Sequence, residues 1–250
     1  MIVDALVVVG ANRFRPGSTL AGAADHAAQL GIEGLVAAPG RPPDYHLGPA
    51  NDALAEAAAA IGFPIARLGR VDPLDGTRAA REAVRCLEEL GCSGLFLHPG
   101  EEAFAVRLAA PILEIAAAYG VPVVIAAGIY SLSEPLQILD VAAAHPDVPI
   151  VMTSGGQLNI SGLGLVDAWL ALRSAANLHV MTNGEYRQDF IERLARDFDP
   201  SRVLYASFSP YFDLTYERRR VESAGLEPEP RLLIEGANAC RLFGLASTSR

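Results

Sequence analysis

The chain has no lysine, since all 20 of its basic side chains are arginine in a sequence of 250 residues. Chemistry that needs a lysine amine, such as a Schiff base, a carbamylated lysine or a lysine general base, is therefore excluded. Positive charge is also scarce, with a formal net charge of −9 and one basic cluster, Arg218 to Arg220. Because this field repels phosphate backbones and anionic lipid headgroups, we expect neither nucleic acid nor a membrane surface as a partner.

Cysteine and long apolar runs are scarce as well. Cys86, Cys92 and Cys240 are an odd number without Cys-x-x-Cys spacing, and we expect them to be reduced, buried and inert. No apolar run reaches the roughly 18 to 20 residues that span a bilayer. The apolar stretch Ile2 to Val9 is too short for a secretory leader. These absences predict a cytoplasmic protein.

Short apolar runs alternate with segments of helical period, and the alternation occurs eight times. The predicted strands are Val3 to Val9, Gly34 to Ala38, Ile65 to Gly69, Gly94 to His98, Val121 to Ala127, Pro149 to Thr153, Leu178 to Thr182 and Arg202 to Ser207. Such Val, Ile and Leu runs are typical of a parallel sheet covered on both faces. Eight β-α units predict an α/β protein with the (β/α)₈ TIM-barrel fold, and an open doubly wound sheet is the alternative.

The length and the end of the chain complete this prediction. An α/β barrel of this size is ordinarily one domain, so we expect residues 1–250 to form a single domain. The segment Leu232 to Leu245 is predicted to be a final helix.

Several segments at the predicted strand ends carry a resemblance to a known family. They are Val3 to Gly10, Val121 to Gly128, Ile150 to Gly156, Val203 to Pro210 and the ending Gly236 to Gly244, Gly-Ala-Asn-Ala-Cys-Arg-Leu-Phe-Gly. In their sequence and order they resemble the amidohydrolase-2 family of metal-dependent hydrolases and decarboxylases. The resemblance runs from Val3 to Leu245 and implies an amidohydrolase-like TIM barrel.

The family's metal ligands are a His-x-His pair on the first strand, a histidine ending the fifth and the sixth strands, and an aspartate ending the eighth. The matching positions here are Leu6, Val8, Ala126, Ser154 and Phe208. A catalytic divalent metal usually needs three protein ligands of the N, O or S type, and only the serine hydroxyl offers even a weak one. We therefore expect no metal and no cofactor, and we expect Leu6, Val8 and Phe208 to pack in the upper layer of the barrel.

Polar residues nevertheless follow nearly every predicted strand, where TIM barrels place their chemistry. The candidate catalytic residues are His98, Glu185 and Tyr130. A neutral imidazole at His98 suits proton transfer near pH 7, although a histidine bonded to loop backbone is an equal alternative. Glu185 suits a general base or a helix cap, and Tyr130 suits an oxyanion donor or simple packing at the rim.

Candidate substrate-binding residues complete the predicted mouth. They are Asn12, Arg13, Arg15, His46, Ser154, Gln157, Asn183 and Tyr186, and Glu101 and Tyr211 are further polar residues of the same loops. The two arginines suit a carboxylate clamp, unless Glu101, Glu185 or Asp213 neutralises them. His46 lies in a long loop that can cover the mouth as a lid.

Two functions remain open at this point. The first is a metal-independent acid/base enzyme, a lyase, cyclase, isomerase or hydrolase, that acts on a small polar organic acid, amide or ring compound. The second is a catalytically inactive pseudoenzyme that binds or regulates an active relative. In either case we expect a small-molecule ligand, and a homo-oligomer or a hetero-oligomer with a related barrel remains open.

Overall fold

The computed structural model of the protein describes residues 1–156, 163–185 and 187–246. In these residues one parallel sheet runs in the order of its eight strands. The strands are β1 (Val3–Val9), β2 (Gly34–Pro39), β3 (Ile65–Arg70), β4 (Gly94–Leu97), β5 (Val123–Ile125), β6 (Ile150–Met152), β7 (Leu178–Met181) and β8 (Val203–Leu204). The amide of Ala5 donates to the carbonyl of Tyr205 at 2.9 Å, and that of Val8 donates to Ser209 at 2.7 Å. These bonds join the last strand region to the first, so the TIM barrel is confirmed and the open sheet is wrong.

Helices pack around this barrel. They are α1 (Leu20–Gln29), α2 (Leu47–Ala60), α3 (Thr77–Glu88), α4 (Pro99–Glu102), α5 (Ala110–Tyr119), α6 (Pro135–Ala144), α7 (Leu163–Ser174), α8 (Gln188–Asp197), α9 (Leu214–Ser223), α10 (Pro228–Leu232) and α11 (Asn238–Phe243). Side chains fix several starts, as at α1, where the Thr19 hydroxyl accepts the amide of Gly22, and at α9, where Asp213 accepts that of Tyr216. None of the described helices is long and apolar enough to cross a membrane.

Two apolar layers lie on either side of the strands. The outer layer fills the space between the strands and the helices. The inner layer fills the barrel and includes Leu6, Val8, Phe96, Ala126 and Phe208. Since Leu6, Val8 and Phe208 are 0%, 2% and 3% exposed, their predicted burial is confirmed.

The end of the chain differs from the continuous helix predicted over Leu232 to Leu245. A π-helical segment, Leu233–Ala237, separates α10 from α11. The carbonyl of Ile234 accepts the amide of Tyr205 at 2.8 Å, and this tertiary bond competes with the regular helical ladder. Because the Tyr205 amide bonds Ile234, while its carbonyl still accepts the amide of Ala5, the regular strand β8 ends at Leu204, before the predicted Ser207.

The cysteines also differ in part from expectation. All three are free thiols, but only Cys86 is buried, while Cys92 and Cys240 are half-buried. Cys92 follows the end of α3, where the chain turns toward β4, and Cys240 lies in α11 beside Met1. Each of these two side chains is covered on one side and keeps the other near solvent.

Candidate functional site

A cleft of about 540 Å³ lies at the carboxyl-terminal mouth of the barrel. Side chains from the ends of β1, β4, β5, β6 and β8 meet there, as in other barrels of this class. The lining residues are Phe14, Arg15, His98, Gly100, Glu101, Ala126, Ile129, Thr153, Phe208, Tyr211 and Phe212. The cleft therefore combines aromatic walls with one cation, one imidazole and one carboxylate.

His98 ends the region of β4 and caps the short helix α4. Its Nδ1 accepts the amide of Glu101 at 3.2 Å, so Nε2 carries the proton of the neutral ring. Burial first, and then the nearby charge of Arg70, lower the pKa of His98 to about 4. At neutral pH His98 is therefore an uncharged hydrogen-bond donor, with Nε2 3.9 Å from the Glu101 carboxylate.

Glu101 and Tyr211 form a hydrogen-bonded pair beside His98. The Tyr211 hydroxyl donates to Oε1 of Glu101 and accepts from Nδ2 of Asn12 at 3.0 Å. Burial favours a raised pKa for Glu101, but the charge that His98 carries in the acid range, the charge of Arg70 and the bonds from Tyr211 and Arg70 outweigh it, and the pKa is lowered. Burial and the same bond raise the pKa of Tyr211. The pair therefore consists of an ionised carboxylate and a protonated phenol.

A buried arginine lies beneath this pair. Arg70, at the end of β3, is fully buried, and its Nη2 lies 2.5 Å from Oε2 of Glu101 and 2.7 Å from Oε1 of Glu102. Its Nη1 donates to the carbonyl of Pro39 at 3.1 Å, and the guanidinium lies 5.3 Å from the centre of the Phe96 ring. These contacts fix the orientation of Glu101 and supply a permanent positive charge at the mouth.

Arg41 extends the ion-pair network away from the cleft. Its guanidinium lies 3.3 Å from Glu102 and 3.4 Å from Asp72. Burial raises the pKa of Glu102 against the opposing effect of Arg70. The network therefore contains two arginines and three carboxylates. Its carboxylates form ion pairs with Arg41 and Arg70, and not with Arg13 and Arg15 of the first loop.

Arg15 is the cation that faces the cleft from the first loop. Its guanidinium lies 5.3 Å from the centre of the Tyr211 ring, and among the described residues neither Arg15 nor Arg13 forms an ion pair. Arg13 instead stacks over Tyr45 at 5.1 Å, outside the lining of the cleft. Only one of the two arginines is thus positioned to meet a ligand in this cleft.

The positions predicted to match the family's metal ligands hold side chains unsuited to a divalent metal. Leu6, Val8 and Ala126 pack in the barrel interior, and the Phe208 ring stacks on Tyr211 with ring centres 4.5 Å apart. The Ser154 hydroxyl accepts a bond from Asn183 at 3.0 Å. The described part of the chain also contains no group of three His, Cys, Asp or Glu side chains arranged to hold a metal. The residues present therefore do not fit the group that the family implies.

Other predicted site residues lie away from the cleft. Ser154 and Asn183 are fully buried and bonded to each other. Glu185 is 2% exposed, and its Oε1 accepts the amide of Arg187 at 3.2 Å at the start of α8. This contact closes a turn just before α8, whose N-cap residue is Arg187, and Glu185 is buried instead of open to solvent.

The rim residues are more scattered. Tyr130 is 82% exposed and does not line the cleft, while His46 lines two other clefts beside α2. Gln157 and Tyr186 lie outside the described residues. Of the predicted set, the structure brings together Arg15, His98 and, through Tyr211, Asn12.

Arg70 was not predicted at the site, and Glu101 and Tyr211 were named only as polar residues of the mouth loops, without a catalytic or binding role. A signal for Arg70 was present, because Ala66, Leu68 and Arg70 alternate along one strand and share its inner face. An arginine at an inward position needs buried acids as partners. The pair Glu101 and Glu102, directly after His98-Pro99-Gly100, supplies them.

The barrel and its mouth define a TIM-barrel protein whose site is built on the loops that follow the strands. The family model for Amidohydrolase matches residues 11–245, and the chain belongs to this family, known as amidohydrolase-2. No curated protein is significantly similar in sequence.

Solved structures share the fold at low identity. The 5-carboxyvanillate decarboxylase from Sphingomonas paucimobilis has a TM-score of 0.78 and 16% identity, with 98% of this chain and 99% of that chain covered. A dihydroxybenzoic acid decarboxylase from Polaromonas sp. JS666, with bound manganese and 2-nitroresorcinol, has a TM-score of 0.76 and 15% identity, with 97% and 96% covered. The 4-oxalomesaconate hydratase from Rhodopseudomonas palustris has a TM-score of 0.71 and 16% identity, with 98% and 96% covered.

Proposed function

We propose that the protein is a metal-independent acid/base enzyme that acts on a small cyclic carboxylate, preferably an aromatic one, at the mouth of the barrel. One observation carries this proposal: Arg15, the neutral His98 and the Glu101–Tyr211 pair meet in one aromatic-walled cleft. The reaction class we favour is a lyase, because two of the structural neighbours are decarboxylases of aromatic acids and a third is a hydratase.

The cleft suits a flat anion in two ways. Phe14, Phe208 and Phe212 offer aromatic faces and edges to a ring. Arg15 offers a planar guanidinium that binds a carboxylate through two parallel hydrogen bonds. Because the acids of the mouth are engaged by Arg41 and Arg70, the charge of Arg15 is available to a ligand.

The remaining groups suit proton transfer. The Nε2–H of His98 can donate to a substrate oxygen that gains negative charge during the reaction. The Tyr211 oxygen can accept a substrate proton while its own proton moves to Glu101, since the two are already hydrogen-bonded. Arg70 fixes the acceptor carboxylate. Such proton transfer contributes typically ~10²–10⁴-fold, which limits the enzyme to activated substrates such as hydroxylated ring acids.

The experiment is a turnover screen. Hydroxylated benzoates and unsaturated dicarboxylic acids are incubated with the protein in the presence of a strong chelator, and consumption is followed by chromatography. We expect at least one substrate to be consumed with chelator present. Tyr211→Phe and Glu101→Gln are expected to lower kcat about 10²-fold or more, since each interrupts the proton path, while the exposed control Tyr216→Phe retains activity. Turnover that stops on chelation, or that survives both cleft variants, would overturn the proposal.

The second candidate is a non-catalytic barrel that binds a ligand or a related subunit. Two observations favour it: the pKa of His98 is about 4, well below neutral pH, and Glu101 is held in an ion pair with Arg70. Both features make His98 and Glu101 less effective in proton transfer near pH 7. A ligand that stabilises the protein without being consumed, together with a related chain that co-purifies and stays bound in gel filtration, would select this function.

A further inference from the structure

A pair of thiols lies at the opposite end of the molecule from the mouth. Cys86 is the last buried residue of α3, and Cys92 follows the turn that leads into β4. The amide of Cys92 donates to the carbonyl of Cys86 at 2.9 Å across a glycine, Gly91, in the left-handed conformation with φ +60°. This hydrogen bond between residues six apart closes a turn that reverses the chain, as is typical of the carboxyl end of a helix.

The closure brings the two side chains into contact. The Sγ of Cys86 donates to Oε1 of Glu82 at 3.6 Å, and the Cys92 thiol lies near enough to Cys86 that each thiol shifts the pKa of the other. The Sγ of Cys86 lies against Gly69 of β3, where even a single Cβ would lie only 2.7 Å from the sulfur. Cys86 is therefore held in a fixed position between Gly69 and Glu82.

The two thiols differ in the way a reactive pair requires. Cys92 is half-buried and Cys86 is fully buried. The pKa of Cys92 is lowered, mainly by its interaction with the Cys86 thiol and also by the charge of Arg67, whose guanidinium bonds the carbonyl of Gly91 at 3.1 Å. The interaction with Cys92 and burial raise the pKa of Cys86. A more acidic, more accessible thiol thus lies beside a protected partner.

We propose that Cys86 and Cys92 are a peroxide-reactive pair that closes to an intramolecular disulfide, with Cys92 as the attacking thiol and Cys86 as the resolving one. In the first step the Cys92 thiolate forms an S–O bond as the O–O bond of a hydroperoxide breaks and hydroxide or alkoxide leaves. In the second step the Cys86 sulfur forms the S–S bond as the S–O bond breaks. The departing hydroxide takes the Cys86 thiol proton and leaves as water. Two thiols are oxidised and one hydroperoxide is reduced.

Two of the three cysteines, expected to be inert from the sequence, are thus assigned a reaction. The pair acts independently of the function proposed for the mouth, because neither thiol lines that cleft. The disulfide would tie the end of α3 to the start of β4, at the face of the barrel that carries stability instead of chemistry.

The test treats the reduced full-length protein with hydrogen peroxide and follows its mass and its free thiols. We expect the three free thiols to fall to one, with the loss of two hydrogen atoms in mass. Trypsin releases both cysteines in one peptide, and cleavage after Glu88 or Glu89 then separates them unless a disulfide holds the fragments. We expect the two fragments to stay joined until a reductant is added.

Variants assign the roles. Cys86→Ser should let Cys92 accumulate as a sulfenic acid that dimedone traps, whereas Cys92→Ser should slow peroxide consumption by at least about tenfold. The matched control Cys240→Ser should form the disulfide at the wild-type rate. Three free thiols after treatment, a loss that maps to Cys240, or oxidation of Cys92 to sulfinic acid without linkage would each overturn the proposal.

Discussion

Acidification should destabilise the protein through His98, and the size of the effect follows from its surroundings. The unfolded imidazole binds a proton with an ordinary pKa of 6.5, whereas burial and then Arg70 lower the pKa in the folded protein to about 4. Between these two values the unfolded state holds more protons, so stability rises with pH. The contribution of neutral His98 to folding stability is fully present above pH 6.5 and is lost as the pH falls toward 4. At about 1.4 kcal/mol for each unit between the two pKa values, the loss is about 3 kcal/mol.

The variant His98→Asn isolates this contribution. Asparagine does not titrate, and its side-chain oxygen can still accept the amide of Glu101 at the start of α4. Two other groups titrate in the same range: the pKa of His179 is lowered to about 4, and that of Asp4 is raised to about 6, both mainly by burial. The lowered pKa of His179 adds to the loss of stability on acidification, whereas the raised pKa of Asp4 opposes that loss. Both are present in the two proteins and cancel in the difference, which reports His98 together with its effect on the pKa of Glu101.

The assay is chemical denaturation of the wild type and the variant at several pH values from 7.5 to 4.5. We expect the wild type to lose stability more steeply than His98→Asn below pH 6.5. An NMR titration, with His98 assigned from the peak that the variant lacks, should give a pKa near 4. Parallel stability curves, or an imidazole that titrates near 6.5, would refute the conclusion that His98 is a buried neutral donor.

Three further predictions concern the interior of the barrel. Phe208→Ala should cost about 3–5 kcal/mol in denaturant unfolding, because Phe208 is 3% exposed and stacks on Tyr211; an unchanged midpoint would contradict its place in the core. Arg70→Met should cost about 3–5 kcal/mol because it leaves the buried Glu102 carboxylate without its shortest ion pair, and the double variant with Glu102→Leu should regain part of this. Protein purified without a metal-binding tag should contain far less than one transition metal per chain by mass spectrometry, since Leu6, Val8, Ala126 and Phe208 supply no ligands.

The fold was predictable from the sequence because the pattern that encodes it is local. Each apolar run and each helical period can be recognised alone, and β1 has the predicted bounds, Val3–Val9. The π segment at Leu233–Ala237 was not predictable, because it depends on a bond between Ile234 and Tyr205. That bond forms only after the barrel has closed.

The site was predictable in position but only partly in its members. Strand-end residues were expected at the mouth, and His98 and Arg15 are there. Which of them face the cleft depends on loop geometry: the Tyr130 side chain follows a turn and points to solvent, at 82% exposure. Tyr211 meets Glu101 across 110 residues of sequence. No pattern along the chain indicates such a contact.

The most direct test of metal-independent binding at the mouth is a calorimetric titration of a hydroxybenzoate into protein treated with a chelator. We expect the same Kd with and without chelator, and a Kd at least about tenfold weaker for Arg15→Gln, since a charge-assisted hydrogen bond contributes roughly 1.5–3 kcal/mol. Arg13→Gln is the matched control and should bind as the wild type does. Binding that requires added manganese or zinc, or that is unchanged in Arg15→Gln, would contradict metal-independent binding through Arg15.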